Sequence, residues 1–368
     1  MGRRLPWAPV TSAHLRPGTA SLAAFTTLRL GGPADRFVEA RDTDTVLDVV
    51  RRADAAGERL LVLGGGSNLV VADGGFDGTV VWVATSGFEL DFAGDAVTLR
   101  VAAGEDWDSV VARSVDSGLG GLECLSGIPG LLGATPVQNV GAYGVEMSDL
   151  LISVSLLDRR NGGVREVPAG GLGLGYRSSV LKGTDSAVVL AATFGLRAGG
   201  LSMPVRYAEL ARTLGVQVGD RVPVADARAA VLALRSGKGM VLDAGDHDTW
   251  STGSFFTNPV LDDAALDAVL ARIAATVGED VPVPSYPGGA GRTKLSAAWL
   301  IERAGFLRGH PGPGGRVALS TKHTLALTNR GGASTSDLLA LAREVRDGVS
   351  SAFGVELHPE PVLVNCSL

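Results

Sequence analysis

The sequence predicts an α+β protein of two or three domains, with a strand-rich front half carrying glycine loops and a more helical back domain from about residue 236 to 350. Three observations predict it. A chain of 368 residues is long for one hydrophobic core. The pattern alternates as strands do from about Gly78 to Leu196, whereas helical periodicities recur after about residue 200. Finally, the strand Leu60–Leu63 runs into Gly64-Gly65-Gly66-Ser67-Asn68 and then into a second strand-like run, Leu69–Val71. A Rossmann unit needs G-x-G-x-x-G spacing and an opening helix at that place, so that fold is excluded. What remains is a strand-loop-strand, read either as a tight hairpin turn or as bare backbone clamping phosphates.

Composition bounds the function. With 45% hydrophobic and 20% charged residues the chain is an ordinary globular one. A net charge of −6 argues against nucleic acid or an anionic membrane as partner. Cys124 and Cys366 form no disulfide framework, which fits a reducing cytoplasm. Arg3-Arg4 is followed by prolines, a histidine and an arginine rather than an apolar run, so export is rejected, and Pro6 occupies the place a myristoylation signal reserves for serine or threonine. The most apolar run, Ala187 to Leu196, is about half the length that spans a bilayer. A cytoplasmic protein is expected.

In order, residues 1–24 read as a loose arm with prolines at 6, 9 and 17, and order begins at Phe25. A strand at Arg36–Glu39 precedes a helix capped near Thr43 or Asp44, with Val46, Leu47, Val50 and Ala53 on its apolar face and Gly57 ending it. Strands follow at Val80–Val83 and Ala96–Val101, then a helix from Asp106 to Val115. Ile152–Leu157 and Val164–Val167 make a hairpin, and Ala187–Thr193 a buried strand. Helices are expected at Tyr207–Leu214, Asp226–Leu234, Asp262–Val277, Ser296–Ala304 and Ser336–Phe353, with strands at Leu325–Thr328 and Val362–Val364.

The stretch Gly121–Glu146 organises the rest. It holds six glycines, two prolines, the carboxylates Glu123 and Glu146, and no lysine or arginine. Glycine at that density adds unfolded-state entropy, which suggests close backbone approach to something. Ser126-Gly127-Ile128-Pro129 reads as a cap with proline at the first helical position, and unpaired N–H groups at such a turn suit pyrophosphate. Gln138 and Asn139 offer amides of the kind that read a planar heterocycle. On residues alone the stretch is as readily a glycine-rich surface loop as a cofactor site.

His14, His247, His310, His323 and His358 show no metal-ligand spacing, and no metal site is expected. Neither a G-x-S-x-G elbow nor a P-loop lysine occurs. Three other places stand out. Arg177 follows a glycine run and Tyr176, and by itself reads as a surface cation. Ser254 precedes Phe255-Phe256 and by itself reads as a turn cap. Glu360, locked between Pro359 and Pro361, is either an edge-strand charge or a carboxylate placed on purpose.

Laid side by side, seven pieces resemble the UDP-N-acetylenolpyruvoylglucosamine reductase family. They are TTLRLGGPA (26–34), LGGGSNLV (63–70), LSGIPGLLGATPVQNVGAYGVE (125–146), GYRSSVLK (175–182), STGSFFTNP (251–259), KLSAAWLIERAG (294–305) and HPEP (358–361), in family order. The run Leu242–Trp250 matches none of these pieces. The resemblance implies a vanillyl-alcohol-oxidase/PCMH-type FAD-binding region at 25–235, in subdomains of about 25–90 and 91–235. A substrate domain would occupy 236–350, and a tail at 351–368 would return to the active site.

The resemblance also implies non-covalent FAD, held by Leu63, Gly64, Gly65, Gly66, Ser67, Asn68 and Leu69 of the first loop. From the second it takes Ser126, Gly127, Ile128, Pro129, Gly130, Gly133, Ala134, Pro136, Gln138, Asn139, Gly141, Ala142, Tyr143 and Gly144. NADPH would reduce the flavin, which passes hydride to the enolpyruvyl ether of a UDP sugar. Arg177 and Glu360 would flank the developing enolate and Ser254 would give it a proton. Tyr176, Tyr207, Arg235, Lys238, Asn258 and Lys294 would grip the substrate. Two competing readings are a flavin oxidase of the same fold that reacts with oxygen, and a non-catalytic flavin or nucleotide-sugar binding module.

Overall fold

A computed structural model describes residues 20–368. The arm read at residues 1–24 therefore falls mostly outside the described residues, and the expectations resting on Arg3, Arg4 and Pro6 lie there entirely. Packing begins before Phe25, since Ala20 and Leu22 are buried.

The first sheet is parallel. Strand β1 (Ala34–Ala40) leads to helix α1 (Thr43–Ala56), then to β2 (Leu60–Leu63), β3 (Leu69–Val71) and β4 (Phe76–Val83). The sheet order β1-β4-β2 puts β4 in the centre. Helix α1 is capped by Asp42, one residue before the expected cap, because its carboxylate accepts the Thr45 N–H at 2.7 Å. β2 and β3 do not form a hairpin. β2 lies beside β4, and β3 pairs in parallel with the C-terminal strand described below. The chain therefore leaves one sheet and enters another at Gly64–Asn68, which frees that loop from turn geometry.

The second sheet is antiparallel. It takes β5 (Phe88–Ala93), β6 (Ala96–Ala102), β9 (Leu151–Asp158), β10 (Gly163–Pro168) and β11 (Ala187–Arg197), in the order β10-β9-β11-β6-β5. β11 runs four residues beyond the expected Thr193, because Phe194 and Leu196 continue its buried face. Between β6 and β9 stand α2 (Trp107–Asp116) and the two-residue strands β7 (Gly141–Ala142) and β8 (Val145–Glu146). Helices α3 (Ala208–Leu214) and α4 (Val224–Gly237) follow and pack on the same core, which includes Trp107, Phe194, Leu210 and Val231.

The back of the chain builds its own core. It comprises β12 (Val260–Asp262), α5 (Asp263–Val277), β13 (Ser285–Pro287), β14 (Arg292–Leu295), α6 (Ala297–Arg303), β15 (Val317–Leu319), β16 (Leu327–Asn329) and α7 (Thr335–Phe353), followed by β17 (Val362–Val364). Phe255, Phe256, Leu300, Leu327, Val345 and Phe353 pack there with Leu28 and Leu30 of the front half. β17 is the strand that pairs with β3, Val362 opposite Leu69. Asp73 accepts the Thr335 and Ser336 N–H groups at 2.6 and 3.0 Å, so a front-half carboxylate sits on the positive end of α7. Thr27 Oγ1 donates to the Ser251 carbonyl at 2.6 Å, and Asn329 Nδ2 to that of Leu28 at 3.0 Å. These ties hold the tail and the Ser254 segment against the glycine loops.

Candidate active site

The two glycine loops meet backbone to backbone. A Cβ on Gly65 would lie 2.5 Å from the Gly130 Cα, and one on Gly130 would lie 2.6 Å from Ser67 Oγ, so neither position admits a side chain. Asn68 Nδ2 donates to Gln138 Oε1 at 2.7 Å across the same joint. Among the described residues, the N–H groups of Gly65, Gly66, Ser67, Ile128 and Gly130 donate to no backbone acceptor. Such a row of free donors suits an anion.

No helix opens at Ser126–Pro129, contrary to the sequence expectation. Gly127 and Gly130 sit at φ 70° and 122°, which turns the chain out of helical geometry. Ser126 Oγ points backward and donates to the Glu123 carbonyl at 2.6 Å instead of capping. The short helical turns of the stretch lie on either side, at Glu123–Leu125 and Leu132–Ala134.

A cleft of about 360 Å³ opens beside the joint. Ser67, Asn68, Ile128, Pro129, Ala134, Gln138, Gly141 and Tyr143 line it from the loops, facing Arg177, Tyr207, Arg235, Lys238, Ser254 and Glu360. The three residues expected to be catalytic thus share one wall system, although they are 183 positions apart from first to last (360 − 177). Other expected contacts stand back from the cleft. Asn139 is fully buried and its amide is engaged: Nδ2 donates to Glu146 at 2.9 Å and to the Gly175 carbonyl at 3.0 Å, while Oδ1 accepts from Ser148 at 2.9 Å. It braces the loop rather than offering a free amide. A Cβ on Gly133 would press on Ala103 at 2.8 Å and one on Gly144 on Arg206, so these glycines serve packing. Tyr176, Asn258 and Lys294 form a separate cluster outside the lining. Lys294 Nζ stands 4.2 Å from the Tyr176 ring centre, and Asn258 Oδ1 accepts the Ala297 N–H at 2.9 Å.

Arg177 is on the tip of a tight turn, where Gly175 and Ser178 exchange N–H···O bonds at 3.0 and 3.1 Å. Its φ of 52° is in the left-handed region, which costs a side-chain-bearing residue on the order of 1 kcal/mol or more. Two contacts aim the guanidinium. One Nη donates to the Gly141 carbonyl at 2.8 Å, and Nε lies 3.5 Å from Glu360 Oε1. Glu360 is no edge-strand charge. Its N–H donates to the Phe255 carbonyl at 2.8 Å and its side chain is only 14% exposed. Burial raises its carboxyl above the usual range, against the pull of Arg177 and Lys182. Ser254 precedes Phe255 and Phe256, both buried, with ring centres 5.1 Å apart, so its backbone has a rigid apolar footing.

Arg235 is a different kind of cation. It donates to the Gly127 and Met240 carbonyls at 3.3 and 2.9 Å, and its buried Nε has no partner. Burial brings it down to about 10, which leaves it charged at neutral pH. Lys238 Nζ is 2.7 Å from Glu209 Oε2, and Tyr207 meets the Tyr143 ring edge-on with centres 5.6 Å apart.

The run Leu242–Trp250 also has a place. Its Leu242 and Thr249 line the cleft, while buried Asp248 accepts from Thr321 N at 3.0 Å and Arg330 at 2.7 Å, anchoring the run to the back core. Sequence reasoning missed Lys182, Glu209 and His323. His323 lines the cleft, and burial pushes it down to about 4, so it is a neutral imidazole there. Glu209 and His323 stand outside any spacing pattern, and Lys182 closes the matched piece GYRSSVLK (175–182) without a role of its own there.

Comparison with known proteins decides the family. The family model for the C-terminal domain of UDP-N-acetylenolpyruvoylglucosamine reductase matches residues 245–364, and that for an FAD binding domain matches 34–168. A UDP-N-acetylenolpyruvoylglucosamine reductase of Saccharopolyspora erythraea is 71% identical over 352 residues, 95% of this chain and 96% of that one. The chain belongs to the UDP-N-acetylenolpyruvoylglucosamine reductase family. Another reductase of this name, from Salinispora arenicola, is 56% identical over 363 residues, 98% of this chain and 99% of that one. The crystal structure of the Thermus caldophilus reductase is similar with a TM-score of 0.62 at 25% identity, covering 94% of this chain and 97% of that one. The expected α+β FAD-binding fold and the FAD-containing oxidoreductase class are both borne out.

As a member of this reductase family the chain binds FAD, and its residues fit that group. The glycine loops give free N–H groups where side chains are excluded. Cys124 is 3% exposed, and burial pushes its thiol up to about 12. A protonated, sealed thiol suits non-covalent binding.

Proposed function

We infer that the chain catalyses the NADPH-dependent reduction of the enolpyruvyl group of UDP-N-acetylenolpyruvoylglucosamine to the lactyl ether of UDP-N-acetylmuramate, in peptidoglycan precursor synthesis. The observation that carries the residue roles is the pairing of Arg177 with Glu360 at 3.5 Å in a cleft that Ser254 also lines. The loops at 64–68 and 127–144 would hold FAD, which when bound would supply hydride transfer between NADPH and the terminal alkene carbon.

Negative charge then builds on the neighbouring carbon and spreads into the substrate carboxylate. Arg177, fixed before substrate arrives, stabilises that charge without reorganising, which is where electrostatic catalysis gains most. Glu360, raised by burial, keeps a proton to a higher pH than a free carboxyl and can share it with the enolate. Ser254 Oγ is the donor that protonates the carbanion carbon, since an enolate is a stronger base than a carboxylate. Arg235 and Lys238 take the pyrophosphate, Tyr207 covers it, and Tyr176, Asn258 and Lys294 form the rim. The FAD region, substrate domain and returning tail are assigned as residues 25–235, 236–350 and 351–368. We propose a cytoplasmic reaction with no nucleic-acid or membrane partner; the net charge of −6 supports this reading, and no described helix is long and apolar enough to cross a membrane.

Ser254→Ala tests the assignment. Flavin reduction by NADPH should keep its rate, while reoxidation by the enolpyruvyl substrate falls by about 100-fold or more. Full turnover in that variant would remove Ser254 as the proton donor.

A further inference from the structure

The Arg177–Glu360 pair has a third charged neighbour with no part in the steps above. Lys182 Nζ donates to the Arg177 carbonyl at 2.9 Å, five residues along the chain and across the turn that carries Tyr176 and Arg177. The turn is built to hold that geometry: Leu181 N donates to Ser179 Oγ at 3.1 Å, and Ser179 Oγ donates to the Val137 carbonyl of the glycine stretch. The lysine head is thus delivered to one carbonyl, that of the residue at φ 52°.

We propose that Lys182 is a positioning residue of the reductive site, which locks the strained turn that aims Arg177 and gives Glu360 a second positive neighbour. The argument has two parts. An arginine at φ 52° relaxes to negative φ unless something holds it, and relaxation would swing its guanidinium off Glu360. The bond from Lys182 fixes the peptide that follows Arg177, so relaxation breaks it. Second, Lys182 is close enough to Glu360 for their charges to interact, and the ionisable groups facing Glu360 are Arg177, Lys182 and the Tyr176 hydroxyl. Burial lowers the Lys182 amine from the usual lysine value, yet its charge still acts on Glu360 beside that of Arg177. Removing it leaves the carboxyl less opposed in its tendency to stay protonated, so Glu360 must titrate at higher pH.

This inference rests on the roles given to Arg177 and Glu360 above, and its test separates the two. Lys182→Met and Lys182→Arg are purified with FAD, and each is followed in two ways. The Glu360 carboxyl is titrated by 13C NMR, with Glu360→Gln for assignment, and turnover is measured with NADPH and the enolpyruvyl nucleotide sugar. Lys182→Met should move the Glu360 titration upward and lower kcat on the order of 10- to 100-fold, with KM within about twofold. Lys182→Arg should restore most of both. An unmoved Glu360 titration in Lys182→Met overturns the proposal, whatever happens to kcat, and so does an arginine variant as impaired as the methionine one. If Lys182→Met fails to fold, Lys182→Ala with added ethylamine takes its place, and absence of any amine-dependent gain counts against the role. A wild-type enzyme that did not reduce the sugar would sink the functional reading, whereas the titration judges Lys182 regardless.

Discussion

Arg177 and Arg235 reach the same cleft under opposite terms. Arg177 stands on an exposed turn in a strained conformation, with a carboxylate 3.5 Å away. Arg235 projects from a regular helix and is half-buried, with two carbonyl hydrogen-bond partners, one buried unpartnered nitrogen, and the Asp108 carboxylate near enough for their charges to interact. A cation paired with a titratable acid is equipped to work where charge appears and disappears during a reaction. A half-buried cation that contacts no carboxylate directly has a nitrogen left to offer a bound anion, because a poorly solvated donor without a partner is costly. The proposed roles therefore divide the cleft into a place for chemistry around Arg177 and a place for grip around Arg235.

Removing each arginine breaks that division differently. Arg177→Ala should cost about 100- to 1,000-fold in the rate of substrate reduction, as loss of a preorganised charge partner does, with flavin content unchanged. A comparable loss in flavin content instead would move Arg177 to the grip side. Arg235→Met should weaken nucleotide-sugar or flavin binding by about 30-fold or more while the melting temperature of the ligand-free protein falls by only a few degrees, since the buried charge goes with its partner demand. Binding measured by calorimetry against UDP-sugar and against FAD tells which ligand it serves, and unchanged affinity for both would contradict the comparison. The smallest effect is expected at Glu209→Gln. Glu209 holds Lys238 at 2.7 Å, and both are about one-third exposed, so releasing the lysine should lower KM for the nucleotide sugar by about two- to fivefold. A raised KM would mean that Glu209 orients Lys238 rather than competing for it.

Much of the fold was legible because it follows periodicity. The back-half helices at 263–277, 297–303 and 335–353 and the strand at 362–364 appear within a residue or so of where patterning put them. Ser126–Pro129 was misread because serine and proline carry local helix signals, whereas two positive-φ glycines decide the backbone there. Asn139 was misread because sequence shows an amide but not what Glu146, Ser148 and Gly175 take from it. Arg177 and Glu360 could be paired only through a family resemblance, since nothing local announces a contact across 183 positions (360 − 177). Lys182 lay inside a matched piece, yet its direction depends on a turn that forms only in the folded chain.

The central claim is that the cleft passes reducing equivalents from NADPH to an enolpyruvyl sugar. The direct measurement is an anaerobic absorbance titration of the FAD-loaded protein, first with NADPH and then with UDP-N-acetylenolpyruvoylglucosamine. The account predicts that NADPH bleaches the flavin and that about one equivalent of the sugar restores its colour before any air is admitted. Colour that returns only with oxygen would contradict it and make the protein an oxidase.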